Sequence, residues 1–153
     1  MERRAAVRYA WLIRATLTAV LGGAAFAQGH DTVVLVVGAK SDVTALSSVE
    51  VRKLFMGLTV MSGGRALHAL RNDSDPRLDQ IFLQNIVSMS DVTYERQVLG
   101  LALRQGREPP PTVHSEKALL RVLAYDPAAV SFAWSADVAG NADVKVIRVL
   151  WHE

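Results

Sequence analysis

The chain has 153 residues, of which half are hydrophobic and 21% are charged, and its formal net charge at pH 7 is +2. This balance is typical of a globular protein and excludes both a disordered chain and a protein with several membrane spans. The length allows one domain with a substantial core, and the absence of cysteine excludes disulfides, thiol catalysis and cysteine-ligated zinc.

The first 27 residues have the three-part pattern of a secretory signal peptide. Three arginines give a positive start, residues 15–27 are apolar except for threonine, and Ala25-Phe26-Ala27 is the small-x-small sequence that a signal peptidase needs. A retained membrane anchor is the alternative, but the uncharged run is shorter than the ~20 apolar residues of a spanning helix. We therefore expect cleavage after Ala27 and a mature domain of residues 28–153 in a periplasm.

Cleavage changes what the charge implies about partners. It removes four arginines and one glutamate, so the formal charge of +2 becomes −1. A nucleic-acid partner is not expected, because it would require a dense basic face. The four histidines are scattered, with no pair at the spacing of ligands on one helix face, so we expect neither a metal nor another cofactor.

The first half of the mature chain predicts a strand, a helix and a second strand. Residues 32–37 are a continuous apolar run rich in β-branched residues, which is typical of a strand buried on both faces. Ser47 and Glu50 have the spacing of a capping box, and Gly57 is suited to end the helix that follows. After a glycine turn, residues 66–70 predict the second strand.

Three helices and two strands are predicted in the second half. The helices begin at start signals that combine a polar cap with apolar residues at helical spacing: Asp75-Pro76, Ser90 and Ser115. An extended connector separates the last two helices at the three prolines 109–111. Residues 129–134 and 144–150 predict closing strands. This alternation indicates a layered α/β domain, although spacing leaves the strand order open.

Five segments, in this order along the chain, resemble the substrate-binding proteins of phosphate-type ABC transporters, and in particular their short periplasmic-binding-protein-like members. The segments are Leu54-Phe55-Met56-Gly57, the strand region 63–70, the helix start Arg77 to Phe82, Gly106-Arg107-Glu108-Pro109-Pro110, and Pro127 to Phe132. The resemblance implies a single-lobe, three-layer α/β domain with a mixed sheet and no enzymatic activity. Longer relatives hold an oxyanion between two lobes, so an anion site of this chain would be open or would be completed by a second chain.

The resemblance implies a function outside the cytoplasm. We expect a non-catalytic solute-binding-like protein that binds phosphate or a similar small oxyanion for an ABC transporter. The alternative is an interaction or sensor-accessory module that kept the fold without a ligand. A membrane permease or a sensor protein is then the expected partner.

The stretch 71–76 corresponds to the family's anion-binding helix start. Arg71 and Ser74 match the family's arginine and serine, but the glycine and threonine that follow the serine in the family are absent. Asp75 would place a carboxylate at the helix start and Pro76 removes one amide, and both changes oppose an anion. In the alternative interpretation this is an ordinary turn in which Arg71 pairs with Asp73 and Asp75.

Two further candidates follow the first strand. Ser41 and Thr44 come directly after its carboxyl end, where ligands of open α/β sheets usually lie. They are predicted ligand donors, and the alternative is that they fill a polar turn. His114-Ser115-Glu116 contains the residue types of a hydrolase, but adjacent residues cannot adopt the nucleophile–base geometry. Ser115 is instead predicted to cap a helix.

Overall fold

The structure, a computed structural model, describes residues 32–153, so the predicted signal peptide lies outside the described residues. The strands are β1 (Thr32–Gly38), β2 (Met61–Ser62), β3 (Arg65–Ala66), β4 (His68–Ala69), β5 (Arg71–Asn72), β6 (Thr112–Val113), β7 (Ala129–Trp134) and β8 (Val144–His152). The α-helices are α1 (Ser48–Phe55), α2 (Pro76–Ile81), α3 (Asp91–Gln105), α4 (Glu116–Tyr125) and α5 (Ser135–Val138), and a π-helix spans Phe82–Val87. Within the described residues, every helix is too short or too polar to span a bilayer.

The main sheet has four strands in the order β4-β7-β1-β8. Strand β1 pairs antiparallel with both β7 and β8, whereas β4 pairs parallel with β7, so the sheet is mixed. Strand β1 is buried along its length because it lies between two neighbours and is covered on both faces. The two smaller sheets are the β2–β3 hairpin and the parallel pair of β5 with β6.

Successive side chains of β1 point into two separate cores. Val33, Leu35 and Val37 pack with residues of α1, α2 and α3 on one face. In the same cluster the rings of Phe82 and Phe132 stack, and the ring of Phe55 meets both edge-on. The valines between them pack against α4 and α5 on the other face. This helix–sheet–helix arrangement confirms the predicted three-layer α/β domain.

The predicted helix signals have the expected geometry. Ser47 and Glu50 form a complete capping box at the start of α1. The carboxylate of Asp75 accepts a hydrogen bond from the Leu78 amide, with Pro76 as the first residue of α2. Ser90 and Ser115 cap α3 and α4 in the same way, and α3 ends at a glycine whose backbone is left-handed.

Three local features differ from the sequence predictions. The single strand expected at 66–70 is divided, because Arg65–Ala66 turns back on β2 while only His68–Ala69 joins the main sheet. The helix that begins at Pro76 changes to π geometry at Phe82 and ends at Ser88, which has a φ of 57°. The short helix α5 was not predicted, since its four residues are too few for a periodic signal.

Candidate functional site

A cleft of about 310 Å³ opens at the carboxyl end of β7. We call it the β7 cleft, and its lining residues are Ser74, Asp75, His114, Ser115, Glu116, Trp134 and Asp137. The parallel pairs β4–β7 and β5–β6 run in register, so the turns that follow these strands meet at one edge of the domain. This is the edge at which open α/β sheets bind ligands.

Asn72 fixes the turn that carries Ser74 into the cleft. Its side chain is buried, and its amide donates a hydrogen bond of 2.9 Å to the carbonyl of Phe132 in β7. Its oxygen accepts hydrogen bonds from the amide and the hydroxyl of Ser74, at 3.1 and 2.7 Å. The hydroxyl proton of Ser74 is therefore donated to Asn72. The hydroxyl oxygen can still accept a hydrogen bond from a ligand.

The charge around the β7 cleft is mainly negative. Asp75, Glu116 and Asp137 line it, and His114 is the residue in the lining that can carry a positive charge. That imidazole already contacts Asp73, with Nδ1 2.7 Å from a carboxylate oxygen. Carboxylates that outnumber cations oppose an oxyanion. They are not arranged as metal ligands either, because within residues 32–153 no group of three acidic or histidine side chains could hold a metal ion.

Arg71 lies outside the β7 cleft and is bound within the domain. Its Nε and Nη2 donate to the two carboxylate oxygens of Asp79 at 2.9 and 2.8 Å, and Nη2 also donates to Asp91 at 2.8 Å. Its guanidinium lies over the rings of Tyr94 and Phe82, 5.2 and 5.9 Å from their centres. We call these five residues the Arg71 cluster. It ties β5 to α2, the π-helix and α3.

The electrostatics of the Arg71 cluster keep the arginine charged. Burial alone would lower the pKa of Arg71, but the hydrogen bonds and charges of Asp79 and Asp91 outweigh it and raise that pKa above its ordinary value. Burial raises the pKa of the Tyr94 hydroxyl to about 12. The Arg71 side chain is 9% exposed and two carboxylates neutralise it, so its fork faces the domain interior instead of a ligand.

The structure therefore separates Arg71 from Ser74, although they are three residues apart. The expected pairing of Arg71 with Asp73 and Asp75 is wrong in its partners, since those carboxylates contact His114 and cap α2. The general interpretation that nearby carboxylates occupy the arginine is nevertheless correct.

Ser41 and Thr44 lie at the other end of the strands from the β7 cleft. Because β1 is antiparallel to β7, the carboxyl end of β1 lies beside the start of β7. Ser41 is buried, its hydroxyl accepts a 3.4 Å hydrogen bond from the amide of Val43, and its carbonyl accepts one from Lys145. Thr44 is exposed. These two residues cannot share a site with Ser74.

Sequence reasoning missed the acidic partners of Arg71 and part of the cleft lining. Asp79 precedes Phe82 by three residues, so it shares the inward face of its helix, and an inward carboxylate requires a cation. That spacing could have identified it. Asp91 had no comparable signal, because it follows the cap of a helix 20 residues further along the chain. Asp137 belongs to α5, which the sequence did not predict.

Comparisons with known proteins give structural likenesses only. The sequence matches no family model and no curated protein. A solved structure of a possible phosphate-binding protein from Planctomyces limnophilus aligns over 77% of this chain, with 12% identity and a TM-score of 0.51. An ABC-type phosphate transport receptor from Vibrio cholerae aligns over 77%, with 14% identity and a TM-score of 0.48. The chain spans 41% and 46% of their lengths.

The likeness to the Planctomyces protein decides the fold. The chain has a periplasmic-binding-protein-like fold. The mixed sheet covered by helices on both faces agrees with the single-lobe domain that the sequence resemblance implied. At 12% identity the likeness shows the fold and leaves the role and the ligand open.

Proposed function

We propose that this chain is a non-catalytic, solute-binding-like protein of a periplasm that works with a membrane permease or a sensor protein. In this role it does not hold phosphate through Arg71. The observation that carries the proposal is the engagement of the Arg71 guanidinium by Asp79 and Asp91 inside the domain. A side chain that binds two carboxylates cannot offer its fork to an oxyanion without breaking those contacts.

The charge of the β7 cleft supports the same proposal. An anion that enters it meets the carboxylate of Asp75 at the start of α2. Two like charges 4 Å apart repel by about 1 kcal/mol even at the dielectric constant of bulk water, and by more near a protein surface. An accessory role in which the scaffold contacts a protein partner therefore suits this edge better than the capture of phosphate.

Oxyanion binding for an ABC transporter is the second candidate. The hydroxyl of Ser115 and the imidazole of His114 line the β7 cleft and can donate to a small anion, whereas the hydroxyl of Ser74 could do so only by giving up its bond to Asn72. Protonated His114 would add one positive charge. This candidate requires that charge and these donors to overcome the surrounding carboxylates.

Titration calorimetry of residues 28–153 with phosphate and sulfate distinguishes the two candidates. The proposal predicts no heat of binding at millimolar anion. Binding at millimolar concentration or tighter that is lost in Ser74→Ala or His114→Ala would instead establish the second candidate. Arg71→Ala is unsuitable for this purpose, because it would destabilise the domain by breaking the Arg71 cluster.

The variant Asp75→Gly tests whether the cleft carboxylate opposes anions. Glycine at an N-cap costs only a few tenths of a kcal/mol, so the helix should persist. We expect this variant to bind phosphate or sulfate more tightly than the unaltered protein does. Asp143→Ala, which removes an exposed carboxylate outside the cleft lining, is the control for net charge. An equal change in anion affinity for both variants would mean that Asp75 opposes anions only through the net charge of the protein.

The proposed location has a test of its own. Expression of the full chain in a bacterium with two membranes should yield a periplasmic protein whose N-terminal residue is Gln28. A cytosolic protein that retains Met1 would contradict export.

A further inference from the structure

Helix α3 is apolar on two opposite sides. Its inner side buries Tyr94, Val98 and Ala102. Its outer side leaves Val92, Leu99 and Leu103 exposed by 67%, 52% and 74%. Spacings of seven and four residues place these three side chains on one face of the helix. We call them the outer stripe.

The outer stripe is more than a scatter of exposed side chains. Single exposed apolar residues are normal on a protein surface, whereas several large apolar side chains on one helix face indicate a covering partner. A surface helix that needs only to pack on its own domain has a polar outer face. The outer stripe therefore calls for something that covers it.

Arginines accompany the outer stripe. Arg96 lies on the same face, between Val92 and Leu99, and Arg104 and Arg107 follow at the carboxyl end of the helix. All three are exposed. Arg104 donates to the carbonyl of Gly100, which holds its guanidinium against the helix, whereas Arg107 donates to the hydroxyl of Thr59 outside α3.

Acidic residues offset this positive charge only in part. Asp91 is bound by Arg71 inside the domain. Glu95 is the other acidic residue of α3, and Glu108 follows the helix. Successive residues of a helix are rotated by about 100° around its axis. This rotation places Glu95 on one flank of the outer stripe and Arg104 on the other. One flank of the stripe is therefore basic.

A second copy of the chain is a poor occupant for this face. In a two-fold pair of antiparallel helices, each flank meets the same flank of the other helix. Arg96 lies near the midpoint of the outer stripe, so it would face Arg96 of the other copy, and the two positive charges would oppose the pairing. Charge complementarity instead favours an anionic partner.

We propose that the outer stripe docks on the surface of a membrane that contains anionic phospholipid. The helix lies parallel to the surface, with its three apolar side chains at the boundary of headgroups and acyl chains and its arginines among the phosphates. The proposal does not depend on the β7 cleft or on its ligand.

Vesicle sedimentation with residues 28–153 tests the proposal. Residues 1–27 are omitted because their apolar run would itself bind lipid, and every packed residue described above lies within 32–153. We expect binding to equimolar phosphatidylcholine and phosphatidylglycerol vesicles that weakens as salt is raised, and much weaker binding to phosphatidylcholine alone.

Paired variants distinguish docking by the outer stripe from nonspecific binding through other exposed apolar residues. Leu99→Gln with Leu103→Gln should lower the partition coefficient at least about tenfold, because each leucine contributes roughly a kcal/mol or more when it leaves water. Val146→Gln with Val149→Gln is the matched control, since these β8 valines are 49% and 55% exposed on another element, and it should leave binding unchanged. Arg96→Gln with Arg104→Gln should weaken binding only to the anionic vesicles.

Several results would overturn the proposal. They are an absence of binding to anionic vesicles, an equal loss in the β8 control, and retention of binding in the α3 variants. Circular dichroism and denaturant unfolding of each variant show whether a loss reflects docking or folding. If the vesicles do not bind while an acidic protein partner protects the amides of Leu99 and Leu103 from hydrogen exchange, the occupant is a protein and the membrane proposal fails.

Discussion

Arg71 and Ser74 are three residues apart, and the fold uses them in different ways. Arg71 points into the domain, where Asp79 and Asp91 satisfy its charge and two aromatic rings cover it. Ser74 points to the β7 cleft and is held only by its neighbour Asn72. An arginine and a serine can together bind an anion. The comparison shows that they do so only when the rest of the fold leaves their donor groups without other partners.

Breaking the Arg71 cluster should have the largest effect. Arg71→Ala leaves Asp79 partly buried without its cation and removes the contact with Tyr94. We expect the free energy of unfolding to fall by about 3 kcal/mol, as it does when one partner of a buried ion pair is removed. Urea unfolding measures this change. Arg96→Ala, an exposed arginine on α3, is the control, and an equal loss in both would show that the cluster has no special role.

Asn72 connects the two regions and should give the second largest effect. Asn72→Ala removes the donor to the Phe132 carbonyl and the acceptor for Ser74, and it leaves a buried carbonyl without this partner. We expect a loss of about 2 kcal/mol, because buried unsatisfied groups carry their desolvation cost. Urea unfolding again provides the measurement. A loss as small as that of a surface substitution would mean that water replaces the amide.

Tyr94 gives the stability of the interior region a dependence on alkaline pH. Its folded pKa of about 12 lies above its ordinary pKa of about 10, so its contribution to stability is complete below pH 10 and is lost as pH rises toward 12. At pH 11 the unfolded hydroxyl is ionised and the folded one is not, which lowers stability by about 1.4 kcal/mol.

The variant Tyr94→Phe isolates this dependence. It should flatten the fall in unfolding free energy between pH 10 and pH 12, although it also loses the hydrogen bond to the Phe55 carbonyl at every pH. Tyr125, which is 81% exposed, provides the control substitution. An unchanged slope in Tyr94→Phe would mean that another group is responsible for the alkaline dependence.

Ser74→Ala should have the smallest effect on stability. The hydroxyl is exposed and its bond to Asn72 is local, so we expect a change of about 0.5 kcal/mol or less. Thermal unfolding measured beside the Asn72 variant checks this difference. A loss comparable with that of Asn72→Ala would show that Ser74 belongs to the structural interior and not to the cleft.

Local signals along the chain predicted much of the fold. Ser47 with Glu50, Asp75 with Pro76, and Ser115 each begin a helix because a polar side chain satisfies a free amide within three residues. Such contacts are short in sequence, so the sequence alone reveals them. The apolar runs of β1 and β7 were recognisable for the same reason.

Relations between distant segments could not be predicted in this way. The sequence did not reveal that β1 runs antiparallel to β7, and that direction decides that Ser41 lies far from Ser74. Nor did spacing assign Arg71 to Asp91, since the pairing depends on how α3 packs on α2. The candidate site depends on such pairings, so it was less predictable than the helices.

The position of β1 has a consequence for the order in which the molecule can form. The first strand of the described chain lies at the centre of the sheet, and both of its neighbours come from the final quarter of the sequence. Contacts of such high sequence separation slow folding, because a long loop must close before they form. A chain of this topology cannot complete its core until β8 has paired with β1.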